Sequence, residues 1–155
     1  MAPNPKVAEA ISRAESAAGE KGPLYEQLLA ETKTLSSPAT ATDDLNAVVD
    51  SIFNQALGIV ATRSVLAAFI NTLRELKNED MWIEVGTRTL NTISAQPSSS
   101  SFIDAGATLR ELVATAHENN EDFLDAAKAL SEIPLESSQR KVTDEEKART
   151  WVRIV

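Results

Sequence analysis

Apolar residues recur at helical spacing along almost the whole chain. In the clearest segment, which begins at Leu45, apolar side chains follow one another at intervals of three and four residues. Its members are Leu45, Val48, Val49, Ile52, Phe53, Ala56 and Leu57. This pattern predicts a helix with one apolar stripe that faces a core. No segment shows the two-residue alternation of a half-buried strand.

Capping residues mark where several of these helices begin. Asn4 and Pro5 combine an N-cap residue with a first-turn proline. Asn78 is placed to cap the fifth helix. Thr143 and Glu146 have the spacing of a capping box, in which each side chain accepts a hydrogen bond from the other residue's backbone N–H. These signals predict helix starts near residues 5, 79 and 144.

Two connections between helices carry more specific expectations. Gly58 follows the third apolar stripe and is expected to be its left-handed C-cap. The four serines of 98–101 are read as a connector, in preference to a flexible phosphorylatable loop. Ser101 and Asp104 resemble a capping box, so Ser101 is expected to cap the sixth helix.

The last two helices complete the pattern. The seventh is expected to place Phe123, Ala126, Ala127 and Leu130 on its inner face. The eighth shows a stripe of Ala148, Trp151, Val152 and Val155. Because that stripe stops in mid-pattern, we expect the native protein to continue beyond it.

The fold class that follows is all-α. Helices joined by short loops predict antiparallel helical hairpins, stacked in a TPR/HEAT-like α-solenoid that forms a right-handed superhelical arm. About eight helices are expected, as one helical-repeat region over residues 1–155. Such folds usually present surfaces to partners and do not enclose pockets.

Length and charge narrow the function classes. The chain has 155 residues with 43% apolar positions, which is enough to form a hydrophobic core that does not depend on metal ions or disulfide bonds. The net charge of −8 argues against nucleic acid as a binding partner, because its phosphates attract basic surfaces. The N-terminus has no apolar signal segment, and no apolar run approaches the roughly 20 residues of a membrane span. We therefore expect a soluble, intracellular protein with no membrane contact.

The sequence contains little that would support catalysis. His117 is the only histidine, whereas a metalloprotease helix needs two, and no G-x-S-x-G motif supports a serine triad. His117 is expected near the end of a helix, where the helix dipole favours a cation, so a capping or surface role is preferred to a catalytic one. The scattered glycines form no phosphate-binding loop. We expect no catalytic, cofactor-binding or metal-binding residues and no cofactor.

Acidic and aromatic residues are the candidates for binding a partner. Carboxylate pairs at 43–44, 79–80, 121–122 and 144–146 are read as helix starts, where negative charge is stabilising. Glu118, Glu121, Asp122 and Asp125 could meet a basic partner surface, although a solvated helix face is the plainer interpretation. Trp82 and Trp151 lie on apolar stripes, so core packing is preferred to a role as binding hot spots. If a covering helix lies beyond Val155, Trp151 would be exposed in this chain.

A family resemblance appears in the last third of the chain. Leu109–Lys141 contains E-D-F at 121–123, Ala126-Ala127, then I-P-L-E at 133–136 followed by Q-R-K. This order resembles the fourth-subunit family of the COP9 signalosome, and residues 44–76 are similar as well. Phe123, where the family often has Trp, and the alanine-rich N-terminus depart from the animal and plant pattern and suggest a fungal lineage.

The resemblance implies a non-catalytic scaffold subunit. The signalosome removes Nedd8 from cullin–RING ubiquitin ligases, and its metalloprotease centre is on another subunit. The helical repeats would form an arm that helps bind the cullin C-terminal region and its RING partner. A PCI domain beyond Val155 would join other signalosome subunits, in the cytoplasm and nucleus. The chain itself is expected to be monomeric, and a proteasome-lid or other PCI-family scaffold is the alternative.

Overall fold

The computed structural model describes residues 3–133 and 143–155, which are helical almost throughout. The helices are α1 Pro5–Ser16, α2 Gly22–Leu35, α3 Ala41–Asn54, α4 Ile59–Glu75, α5 Glu79–Ser94, α6 Ile103–Asn119, α7 Phe123–Ser131 and α8 Asp144–Ile154, with a 3-10 turn at Ser99–Phe102. The described residues include no strand. The all-α prediction is therefore confirmed.

The chain divides into two compact units. Unit 1 ends at Leu76 and contains α1–α4, and unit 2 begins at Lys77 and contains α5–α8. Each unit is built from two successive helical hairpins. The expectation of a single helical-repeat region over 1–155 stays a prediction.

Hydrogen bonds fix the helix directions of α1, α2 and α3 in unit 1. The Asn4 backbone N–H, at the start of α1, donates to Asp44 Oδ1 near the start of α3 at 2.6 Å. Ser51, near the end of α3, donates to Glu15 near the end of α1 at 2.6 Å. Tyr25, near the start of α2, reaches the same Ser51 hydroxyl. Helices α1 and α3 are therefore parallel neighbours, and α2 is antiparallel to both.

Helix α4 repeats the direction of α2. Ser64 donates to Glu26 near the two helix starts, and Lys33 pairs with Glu75 near the two helix ends. Alternate helices of unit 1 are thus parallel, which is the stacking of hairpins expected in a helical-repeat protein. The core between them is apolar, and its largest fully buried side chains are Tyr25, Phe69, Leu29, Ile52, Leu66, Leu73, Val7, Val48, Val49 and Val65.

The α3–α4 connection differs from the expectation. Helix α3 ends at Asn54, and the residue with left-handed backbone after it is Ala56, with φ of 50°. Gly58 has φ of 90° but occupies the N-cap position of α4. The prediction that Gly58 ends α3 is wrong, because the helix stops a turn before the apolar pattern does.

Unit 2 begins with an antiparallel pair. Asn119 at the end of α6 donates to Glu79 at the start of α5 at 3.3 Å. Asn78 caps α5 as predicted and accepts from the Met81 N–H at 3.2 Å. The expected Ser101 cap of α6 is wrong: residues 99–102 form a 3-10 turn that continues into the helix, so the buried Phe102 takes the N-cap position.

Helices α7 and α8 complete unit 2 around a cluster of small apolar side chains. The cluster consists of Ala107, Ala114, Ala126, Leu130 and Ile133, with Ala129 and Ile154 packed against it. The Thr143 capping box at the start of α8 is confirmed. Residues 134–142, on which the I-P-L-E and Q-R-K part of the family resemblance falls in large part, lie outside the described residues.

The predicted apolar face of α8 is wrong, and so is one member of the α7 face, Phe123, whereas Ala126 and Leu130 of that face are buried as predicted. The stripe of α8 is exposed, with Trp151 51% accessible, because Thr150 and Ile154 on the other face turn inward. Phe123 is 66% exposed, since the first residue of α7 lies at the turn, past the end of α6. Trp82, in α5, is partly buried.

Candidate functional site at the turn between α6 and α7

A left-handed residue closes α6. Glu121 has φ of 64°, a backbone conformation that residues other than glycine adopt infrequently. The Asp122 N–H donates to the His117 carbonyl at 2.8 Å, and the Glu121 N–H donates to the Glu118 carbonyl at 3.0 Å. These two bonds define a Schellman motif. Glu121 therefore belongs to the end of α6, and α7 begins only at Phe123.

The motif brings polar side chains together where apolar ones usually meet. In a Schellman motif the side chains in the positions of His117 and Asp122 are close and commonly form an apolar contact. Here one imidazole nitrogen of His117 and one carboxylate oxygen each of Asp122 and Asp125 lie within 4.8 Å of one another. Among the described residues, this is the one group of three or more potential metal ligands.

Two members of this cluster lack their usual partners. Asp122 occupies the N-cap position of α7, but its side chain makes no capping hydrogen bond. The Nδ1 atom of His117 is shielded from solvent and has no hydrogen-bond partner among the described residues. Such buried unpaired atoms are uncommon and call for a ligand, a water or an ion.

A groove of about 370 Å³ adjoins the cluster within unit 2. His117 and Asp125 contribute to its lining, together with the ion-paired Arg110 and Glu132 and with Asn91 of α5. Its walls are about equally polar and apolar, which is unlike the mainly apolar lining of a typical small-molecule pocket.

The four acidic candidates fall into two groups. Glu118 is partly buried and accepts two hydrogen bonds from Arg153 of α8, Nε to Oε1 at 3.2 Å and Nη2 to Oε2 at 3.0 Å. Its charge is thus already paired within the unit. Glu121, Asp122 and Asp125 are exposed, and Lys128 Nζ lies 3.8 Å from Asp125 Oδ1.

Two apolar side chains lie among these exposed carboxylates. Phe123 and Leu124 are 66% and 71% exposed. We call the surface formed by Glu121, Asp122, Phe123, Leu124 and Asp125 the α7 tip. Sequence reasoning identified its acidic members but placed Phe123 in the core. Its position directly after Asp122, a residue type common at N-caps, was the available signal that Phe123 lies at a turn.

The His117 cluster was also missed at the level of sequence. The metalloprotease helix motif requires a second histidine, whereas here the partners of His117 are two aspartates in the pattern H-x4-D-x2-D. Residues with that spacing come close together only because the chain changes direction at Glu121. No sequence signal marks Glu121 as left-handed.

The successive helical hairpins of each unit define the class, that of an all-α helical-repeat protein. No helix among the described residues has both the length and the apolar content needed to cross a membrane. Residues 8–155 match the sequence family described as PSMD12/CSN4, N-terminal, and the chain belongs to that family. The resemblance seen in the sequence is thereby confirmed.

Individual relatives agree with this family. The chain is 39% identical over 155 residues to COP9 signalosome complex subunit 4 of Emericella nidulans, covering 99% of this chain and 37% of the relative. It is 40% identical over 132 residues to the Neurospora crassa protein of that name, covering 76% and 30%. For the Arabidopsis thaliana protein the identity is 32% over 148 residues, covering 94% and 36%. The chain spans about a third of the length of these curated relatives.

Proposed function

We propose that this chain is part of a non-catalytic scaffold subunit of the COP9 signalosome. The observation that carries the proposal is the family match over residues 8–155, together with fungal relatives of that name at 39% and 40% identity. The chain would work with other signalosome subunits, in the cytoplasm and nucleus. The complex removes Nedd8 from cullin–RING ligases, and the metalloprotease centre is on another subunit.

Within that complex, the helical repeats would help bind the cullin C-terminal region and its RING partner. The α7 tip of unit 2 has the features that suit this contact. Phe123 and Leu124 offer exposed apolar area, and Glu121, Asp122 and Asp125 surround it with negative charge. An apolar centre with a charged rim is the usual anatomy of a protein interface. A partner surface with basic residues would complement it.

A binding titration against a cullin–RING complex, with and without Nedd8 and at two salt concentrations, tests this proposal. Saturable binding that weakens with salt is expected, because exposed charges are screened. The variant Glu121→Gln/Asp125→Asn should weaken binding about 2–30-fold, for two exposed ion pairs of about 0.2–1 kcal/mol each. The matched control Asp80→Asn/Glu84→Gln alters charge equally elsewhere on unit 2 and should bind like the wild type.

Absence of binding by folded protein, or equal losses in both variants, would contradict the assignment to the α7 tip. Phe123→Ala then tests the apolar part of the surface separately from its charge. This substitution should weaken binding without altering its salt dependence, because it removes only apolar contact area.

A proteasome-lid scaffold is the second candidate, since the family description also names PSMD12. Co-expression with signalosome subunits and, separately, with lid subunits distinguishes the two. Co-purification with signalosome subunits alone is expected. Stable assembly with lid subunits in their place would favour the second candidate.

A further inference from the structure

We propose that His117, Asp122 and Asp125 bind one divalent transition-metal ion, with zinc as the best-fitting occupant. Their ligand atoms already lie within 4.8 Å of one another. Zinc binds nitrogen and oxygen ligands at about 2.0–2.2 Å, so the ligand atoms of a tetrahedral site stand about 3.3 Å apart. Both aspartates are exposed, and small rotations of their side chains can close the difference.

Two polar groups at the turn between α6 and α7, without hydrogen-bond partners among the described residues, indicate that a ligand can bind there. The Asp122 carboxylate does not cap α7, and the His117 Nδ1 has no described partner although it is shielded from water. Both residues are held by the 2.8 Å bond from the Asp122 N–H to the His117 carbonyl, so their side chains are brought together before any ion arrives. Pre-arranged ligands lower the ordering cost of binding.

The chemical nature of the three ligand atoms determines which class of metal ion the site prefers. One imidazole nitrogen and two carboxylate oxygens suit zinc and neighbouring first-row ions, whereas magnesium and calcium prefer sites made only of oxygen. Two carboxylates also balance the charge of a divalent cation. Water completes the coordination, because Asp122 and Asp125 face solvent.

The ammonium group of Lys128 opposes the binding of a cation. Lys128 Nζ lies 3.8 Å from Asp125 Oδ1 and competes for that carboxylate. Removing this cation should therefore strengthen metal binding. A structural disturbance would not have that effect.

Isothermal titration of the untagged, metal-free chain with Zn²⁺ alone tests the proposal. One ion per chain is expected, and a chelator should reverse the binding. Because the chain has a single histidine and no cysteine, the NMR signals of the one imidazole report directly on the site. These signals should shift with Zn²⁺ and stay unchanged with an equal concentration of Mg²⁺.

Three variants and one control make the test specific. His117→Gln and Asp122→Asn should each weaken zinc binding at least tenfold, since even outer-shell changes cost about 10–100-fold. Lys128→Gln should tighten it several-fold. Glu84→Gln, an exposed carboxylate on α5, should leave the Kd unchanged. Circular dichroism verifies that each variant is folded.

Three outcomes would overturn the proposal: no zinc binding by the wild type, an unchanged Kd in folded His117→Gln, or displacement of zinc by equimolar magnesium. The last would show only a general attraction of cations to an acidic surface. The proposal does not rest on the signalosome assignment, because no partner protein enters the experiment.

Discussion

Gly86 of α5 lies directly against Val113 of α6. A Cβ added at residue 86 would stand 2.7 Å from Val113 Cγ2, which is closer than real side-chain carbons approach. Val113 is buried and β-branched, so its side chain has little freedom to move away. The absence of a side chain at residue 86 thus sets how closely α5 and α6 pack.

Gly86→Ala should destabilise unit 2. Overpacking typically costs about 1–3 kcal/mol, while the better helix propensity of alanine returns about 1 kcal/mol. A net loss of up to about 2 kcal/mol is expected in urea unfolding followed by circular dichroism. Gly106→Ala is the control: its added Cβ meets Leu90 at an ordinary 3.9 Å, so stabilisation by about 0.4–1 kcal/mol is expected.

A double-mutant cycle tests the contact itself. Val113→Ala removes the methyl group that the new Cβ would strike, so Gly86→Ala should cost less in that background. Stabilisation by Gly86→Ala alone, similar to that from Gly106→Ala, would contradict the close approach of the two helices.

Glu118 should prove structural and not part of the partner surface. Its carboxylate is held by two hydrogen bonds from Arg153, which also donates to Thr115 Oγ1 at 3.1 Å. Glu118→Gln is expected to lower the free energy of unfolding by about 1 kcal/mol. Arg153→Lys should cause a similar loss, because an ammonium group cannot reproduce the paired bonds.

The exposed Glu121 provides the comparison. Glu121→Gln should change stability by less than about 0.5 kcal/mol, as for other surface substitutions. Denaturant unfolding at low and high salt measures all three variants. A large loss for Glu121→Gln with none for Glu118→Gln would reverse the assignment of the two roles.

Tyr25 should make unit 1 sensitive to alkaline pH. It is wholly buried, and its hydroxyl lies 2.5 Å from Ser51 Oγ, which is also 2.6 Å from Glu15 Oε1. Burial raises the pKa of Tyr25 above its ordinary value of 10.0, and the Glu15 carboxylate raises it further, while the Ser51 hydrogen bond acts in the opposite direction.

The direction of this pH dependence follows from whether the folded or the unfolded chain keeps the Tyr25 proton to higher pH. The unfolded chain loses the Tyr25 proton near pH 10, and the folded chain loses it only at a higher pH. The contribution of this raised pKa to the free energy of unfolding is therefore complete below pH 10 and falls as the pH rises through the folded pKa. Tyr25→Phe should cost about 1 kcal/mol at neutral pH but remove this dependence. Urea midpoints for both proteins from pH 8 to 11 give the difference, and parallel curves would contradict the mechanism.

Local sequence signals predicted the helices and some of their caps. The caps at Asn78 and Thr143 use bonds within a few residues, so spacing alone was sufficient. The α8 face could not be predicted in this way. Its apolar stripe is real, but the bonds of Arg153 to α6 turn the opposite side inward.

The candidate site depended even more on tertiary structure. The acidic residues near 121 were visible as a charge run, but their separation into paired Glu118 and exposed Glu121 requires the position of α8. The approach of His117 to Asp122 requires a left-handed Glu121. A non-glycine residue in that conformation gives no local signal, so the cluster could not be predicted from spacing.

The exposed stripe of α8 leads to the last prediction. Trp151 is 51% accessible, so Trp151→Ala should reduce stability by no more than about 0.5 kcal/mol. Leu109→Ala, at a fully buried position of the same unit, should cost about 2–5 kcal/mol. Urea unfolding at two protein concentrations compares them. A loss above about 2 kcal/mol for Trp151→Ala that grows with protein concentration would mean that a second copy covers this face, against the expected monomer.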